Sequence, residues 1–202
     1  LRRRERTLRV RSSKVSIAFA ILVVGIVIVP VAIGSGIPPD HRARVRTRLS
    51  TPPEAVYGTI ADVGRWPEWI PGYGPIRPLP PRRGHPTFES RADDRTFLVY
   101  EVVESDAPSH LRMSFDSTNG RLRATWAFAI RGDASGTVVD IVEDARTNSP
   151  VLRFVLRYVV GYEIGIRGFA RALERRFGSN EAPATLAPVN EPGTERRPRI
   201  GR

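Results

Sequence analysis

Between Val15 and Gly34 the chain reads VSIAFAILVVGIVIVPVAIG, a run with no charged residue and one polar side chain, Ser16. As a helix rising about 1.5 Å per residue it spans roughly 30 Å, the thickness of a bilayer's hydrocarbon core. A buried helix of a soluble domain normally shows a polar stripe, and this one is apolar all round. A cleavable leader has a shorter apolar region, about 7 to 15 residues, with a small-residue cleavage site that Ala32 and Gly34 imitate. Length favours an uncleaved transmembrane helix over residues 15–34, with Pro30 near its far end, where a kink or a terminus tolerates it.

The flanks orient it. Residues 1–14 carry Arg2, Arg3, Arg4, Arg6, Arg9, Arg11 and Lys14 against a single Glu5. The positive-inside rule keeps this short basic N-terminus in the cytoplasm and sends the larger C-terminal part to the extracytoplasmic side. Arg42, Arg44, Arg46 and Arg48 weaken the contrast, but they alternate with Ala43, Val45, Thr47 and Leu49 as one face of a strand does. Of the formal charge of +11, residues 1–14 hold +6 and the tail 178–202 holds +1, which leaves +4 between them. The excess lies at the membrane's cytoplasmic edge, where anionic headgroups suffice as partner, and no nucleic-acid partner is expected. With no cysteine, disulfides, thiolate nucleophiles and Cys-based zinc sites are excluded.

Residues 35–40 are a Gly/Pro linker, and residues 41–178 form one domain, long enough for a single core. His41 to Ser50 is predicted as the first strand. Thr51-Pro52-Pro53-Glu54 starts a helix, with Thr51 able to cap, Pro53 suited to the first turn and Glu54 complementing the dipole. Arg65 to Pro71 is a second short helical or turn segment. Gly72 to Pro86 is loop-like, with room for a short strand near Ile76. Four more strands are predicted, at Thr96–Glu104, Ser109–Phe115, Arg121–Ile130 and Val138–Ala145, joined by turn-rich connectors as an antiparallel meander. A helix from about Pro150 to Phe177 closes the domain, its apolar stripe running Leu152, Val155, Val159, Tyr162, Ile166, Phe169, Leu173 and Phe177. Gly178 and Asn180 stop it. Residues 179–202 have the composition of a disordered tail.

This is an α+β plan. STPPEAVYGTIADVGRWPEWIPG resembles the opening of the START-like helix-grip superfamily (SRPBCC), in particular its polyketide cyclase/dehydratase-like members. The matching residues are Pro53, Glu54, Val56, Tyr57, Ile60, Asp62, Trp66, Pro67, Trp69 and Pro71. The resemblance implies a curved antiparallel sheet wrapped around a long C-terminal helix, with two short helices after the first strand. It also implies an apolar cavity that takes lipids, polyketides or other hydrophobic molecules, with a minority of members being enzymes.

No phosphate loop, nucleophile elbow or HExxH pair is present, and no cofactor is expected. His41, His85 and His110 are far apart in sequence and read as exposed loop or strand-edge residues, so no metal site is expected. In Val138–Ala145, Val139, Ile141, Glu143 and Ala145 share the richer apolar face, which puts Glu143 at the cavity wall. There it is a candidate general acid or base, with Tyr100 or Tyr162 assisting proton transfer; an ion pair with an arginine, or a place at the strand's solvated end, accounts for it equally well. Tyr100, Met113, Trp126, Phe128, Tyr162 and Phe169 project from elements that line the interior, and Trp66 and Trp69 pack the short helices or lid the mouth. These eight are candidate ligand contacts, although such residues are ordinarily plain core. Gly161, Gly165 and Gly168 weaken the long helix by up to roughly 1 kcal/mol each relative to Ala and allow close sheet contact, a bend or room for a ligand. Three functions fit this reading: a membrane-anchored domain binding a hydrophobic small molecule or lipid, a cyclase/dehydratase-type enzyme, or a non-catalytic interaction module at the membrane surface.

Overall fold

A computed structural model describes residues 24–179. Residues 15–23 of the apolar run and residues 180–202 of the tail lie outside the described residues. Val24–Ile28 forms a wide helical turn that leads into helix α1, Val29–Ser35, with Pro30 at the junction, where a locally widened helix accommodates a residue without an N–H. Among the described residues no helix is long and apolar enough to cross a membrane. The linker after α1 is tied down rather than loose: Arg153 donates to the Ile37 carbonyl and the Thr147 amide to that of Pro39.

Seven strands make one antiparallel sheet in the order β1-β7-β6-β5-β4-β3-β2. They are β1 Asp40–Leu49, β2 Ile76–Arg82, β3 His85–Arg91, β4 Phe97–Asp106, β5 His110–Ser117, β6 Leu122–Asp133 and β7 Gly136–Thr147. Alternation sets the inner face: Ala43, Val45 and Leu49 on β1, Leu111, Met113 and Phe115 on β5, and Trp126, Phe128 and Ile130 on β6 are all buried. Glycines serve three of the hairpins, Gly84 at φ +83°, Gly120 at φ +67° and Gly136 at φ +133°. At Gly136 a Cβ would fall 2.1 Å from the Leu49 carbonyl oxygen, so no side chain fits there.

Two strands replace most of the expected loop at 72–86. β2 holds Pro78, Pro80 and Pro81, and it runs along the sheet's outer edge, the place where a strand tolerates residues without a donor. β3 buries Thr87 and Ser90; its buried positions are polar, so no apolar alternation marks it.

Between β1 and β2 lie helix α2, Pro53–Ala61, and a 3-10 turn, Val63–Glu68. Thr51 does not cap α2: Pro52 takes that position with no side-chain bond, while the Thr51 carbonyl accepts from the Thr137 hydroxyl. Val56, Ile60, Val63 and Trp66 are buried against the sheet, and the Trp66 indole donates to the Ile60 carbonyl at 3.0 Å.

The expected single C-terminal helix is broken. Helix α3, Pro150–Val155, is capped by Ser149 and continues as a wide turn, Leu156–Val160. Gly161 then stands at φ +86° and ψ 150°, outside the helical region and open mainly to glycine. Helix α4 restarts at Ile164 and ends at Phe177, before Gly178 at φ +75°. Only α4 grips the sheet, burying Ile166, Phe169, Ala170, Ala172 and Leu173. Val159, expected on the buried stripe, is 67% exposed, because the break at Gly161 interrupts the phase of that stripe.

Candidate functional site

The site is built around one carboxylate. Strand alternation turns Glu143 of β7 inward, opposite Ala43 on β1 and Trp126 on β6, and it is 8% exposed. Its Oε1 lies 3.7 Å from Nε2 of His41, within ion-pair range and too long for a hydrogen bond. Its Oε2 is buried and accepts no hydrogen bond from the described residues. A buried acceptor left unpaired costs about 1 to 3 kcal/mol, so a donor brought in by a ligand would have this oxygen to bind.

His41 corrects its expected place at an exposed strand edge: its side chain is 7% exposed and its ring stacks on Tyr162 at 4.5 Å and 23°. The break at Gly161 sets Tyr162 ahead of α4. The first turn of α4 then passes over the carboxylate at Gly165, where a Cβ would sit 3.5 Å from Cζ2 of Trp126 and 3.7 Å from Glu143 Oε2. Those are ordinary contact distances, so a methyl would fit and would cover both groups.

The rest of the interior is aromatic. Phe169 of α4 is the hub, with ring centroids at 5.1 Å from Trp66, 5.3 Å from Trp69, 5.5 Å from Trp126 and 5.4 Å from Phe128. Phe115 links Trp126 to Tyr100 at 4.7 and 5.1 Å. Met113 is fully buried opposite Trp126. All eight candidate contacts therefore belong to or pack against one core cluster, with Tyr162 stacked on His41. Trp69 and Tyr162 are only half buried, whereas Met113 and Phe128 are fully buried.

Two phenols complete the site. Burial pushes the Tyr73 hydroxyl well above the usual phenol range, and the nearby Tyr100 and Glu143 push it further. Burial also raises Tyr100, against the opposing hydrogen bond to Ser90 at 2.7 Å. Both phenols are neutral at ordinary pH and so keep their O–H donors. His41 shares the parity of Ala43 and Val45, so strand alternation could have found it. Tyr73 follows Gly72 in a turn-rich segment with no periodic signal.

On the opposite face of β7, Asp140 is also buried, and it is fully partnered. It accepts from Arg44 at 3.0 Å, from Arg46 at 2.9 and 3.0 Å, and from Arg131 at 2.7 Å. Burial opposes its charge, but the Arg46 and Arg44 guanidiniums prevail and hold the carboxyl below its ordinary range. Arg42 pairs with Asp144 and Arg48 with Asp133, so the four alternating arginines of β1 are matched by acids of the same sheet.

A seven-stranded antiparallel sheet that grips a C-terminal helix, with short helices after its first strand and a buried acid among aromatics, defines a helix-grip domain. The chain belongs to the polyketide cyclase / dehydrase and lipid transport family, whose model matches residues 40–178. Among solved structures it is similar to the Zhui aromatase/cyclase from Streptomyces sp. R1128, at TM-score 0.56 and 11% identity over 68% of this chain and 93% of that one. A conserved protein from Geobacillus kaustophilus matches at TM-score 0.55 and 13% identity, over 67% and 94% of the two chains. The di-domain aromatase/cyclase StfQ of the steffimycin biosynthetic pathway matches at TM-score 0.51 and 15% identity, over 68% of this chain and 50% of that one. At these identities the likeness is one of fold. No curated protein matches significantly by sequence.

Proposed function

We propose that the chain is a membrane-anchored helix-grip protein that binds a hydrophobic small molecule or lipid, with the ligand's polar end at Glu143 and His41. The observation that carries this reading is the buried Glu143 Oε2 without a donor, set in an otherwise aromatic interior. Apolar burial supplies most of the affinity, on the order of 25 cal/mol per Å2. The polar pair selects a ligand that ends in a hydroxyl or another hydrogen-bond donor. The anchor is residues 15–34, held by length and apolarity, with the N-terminus cytoplasmic and the domain on the extracytoplasmic side. Family membership supports the ligand class, since the family's description joins polyketide chemistry and lipid transport.

Purified full-length protein, delipidated in detergent, is expected to bind fluorescent fatty acids or alcohols saturably, with alcohols preferred. Absence of binding across a broad panel of lipids and polyphenols would overturn the reading.

A catalytic version has one observation in its favour. The Tyr100 phenol is buried and the Tyr73 phenol partly buried against the same core as the Glu143 carboxylate. In a cyclase/dehydratase-type reaction Glu143 would take a proton from a bound polyketide-like chain while a phenol donates to its carbonyl. Turnover unaffected by Glu143→Gln would remove that mechanism and leave binding intact.

A further inference from the structure

Every exposed large hydrophobic side chain among the described residues falls in two short segments, within residues 26–33 and 151–164. The first belongs to the apolar run that ends in α1. The second is α3, its wide turn and the restart of α4, which helical periodicity alone does not separate from the buried stripe. The segments are in contact: α1 packs on α3, with Gly34 so close to Pro150 that a Cβ there would fall 1.9 Å from the Pro150 carbonyl oxygen. Ile28 and Ile33 on one segment and Val159 and Val160 on the other are left bare.

We infer that residues 150–164 are a second membrane-contacting element, lying in the boundary between headgroups and acyl chains beside the anchor. The inference rests on reading residues 15–34 as that anchor. If residues 29–35 are at the bilayer, a helix in backbone contact with them is within about one helix diameter, roughly 10 Å, of the same lipid. Its bare face then meets acyl chains. Residues 150–160 reach only about 16 Å as a helix, too short to cross a core of roughly 30 Å, so they lie along the surface. Arg153 turns its guanidinium to the Ile37 carbonyl in the linker, and Arg157 is exposed. Arg157 beside the apolar face is what an interfacial helix presents to anionic headgroups, while Arg153 ties α3 to the linker.

The consequence for the site is direct. Val160 and Ile164 flank Tyr162, which stacks on His41 beside Glu143. Tyr162 therefore stands where the chain meets lipid, and a ligand that reaches Glu143 past it passes from the bilayer without crossing bulk water.

The absence of cysteine makes the test clean. Single cysteines at three exposed positions, Val159→Cys, Ile26→Cys and Asp94→Cys, are labelled with the nitrobenzoxadiazole fluorophore. The full chain is reconstituted into phosphatidylcholine–phosphatidylglycerol vesicles that carry a doxyl quencher on the acyl chain. The expected result is quenching at position 159 comparable to that at 26 and several-fold above that at 94. Quenching at 26 without quenching at 159 would overturn the inference and leave the anchor standing. Quenching at neither would overturn the anchor and this inference with it.

Discussion

Asp140 and Glu143 stand three positions apart on the same strand, both buried, and have opposite surroundings. Asp140, on the outer face, meets three arginines that use its acceptor sites and hold it ionised. Glu143, on the inner face, has one distant imidazole and an oxygen with no donor. A buried carboxylate saturated by the protein belongs to the architecture, whereas one that the protein leaves incomplete is available to something else. Charge and burial alone do not separate the two acids; their hydrogen-bond partners do.

The largest effect should come from the saturated acid. Asp140→Asn removes several charge-assisted hydrogen bonds and leaves Arg44, Arg46 and Arg131 to repel one another, a loss of about 2 to 3 kcal/mol in stability, readable as a fall in denaturant midpoint. Glu143→Gln should leave stability within about 1 kcal/mol of the parent, since Oε2 has no hydrogen bond to lose, and should weaken binding of a fluorescent fatty alcohol roughly tenfold. If both substitutions destabilise alike, the contrast between the two acids collapses.

Acid gives a second measure of Asp140. Because the folded Asp140 carboxyl lies below its unfolded value, its contribution is whole above about pH 3.9 and is lost as pH falls from there through the folded pKa. Acid titration of Asp140→Asn should show a shallower loss of stability in that window than the parent. The smallest effect is at Gly165. Alanine there raises helix propensity and is expected to stabilise α4 by up to about 1 kcal/mol. The same methyl covers Glu143 Oε2 and Trp126, so ligand affinity should fall while the melting temperature rises. A rise in both would place the binding site elsewhere.

How far the sequence could be read depended on where each signal resides. β5, β6 and β7 alternate over eight to twelve residues between turn-rich connectors, and that local pattern also turns Glu143 inward. Of β2 only a short strand near Ile76 was legible, and β3 not at all, because their residues, Pro78, Pro80 and Pro81 outside and Thr87 and Ser90 inside, are acceptable only at an edge and beside a buried phenol. The division of the last helix was hidden too, since one glycine in a periodic stretch looks the same whether the helix tolerates it or breaks at it. His41 lies on the inward parity of its strand, yet its partner is about a hundred residues away, and only the β1–β7 register brings them together. The aromatic candidates were legible as inward-facing; their mutual packing around Phe169 was not, because ring-to-ring contact is a tertiary fact.

The prolines of β2 have one more consequence. Three of the seven residues of this edge strand have no N–H, so the rim of the sheet offers few donors to a neighbouring chain. An open sheet edge would recruit copies of the chain into extended ribbons. By withholding donors, Pro78, Pro80 and Pro81 keep such copies separate, and Thr at all three positions is expected to convert a dispersed population into one that self-associates.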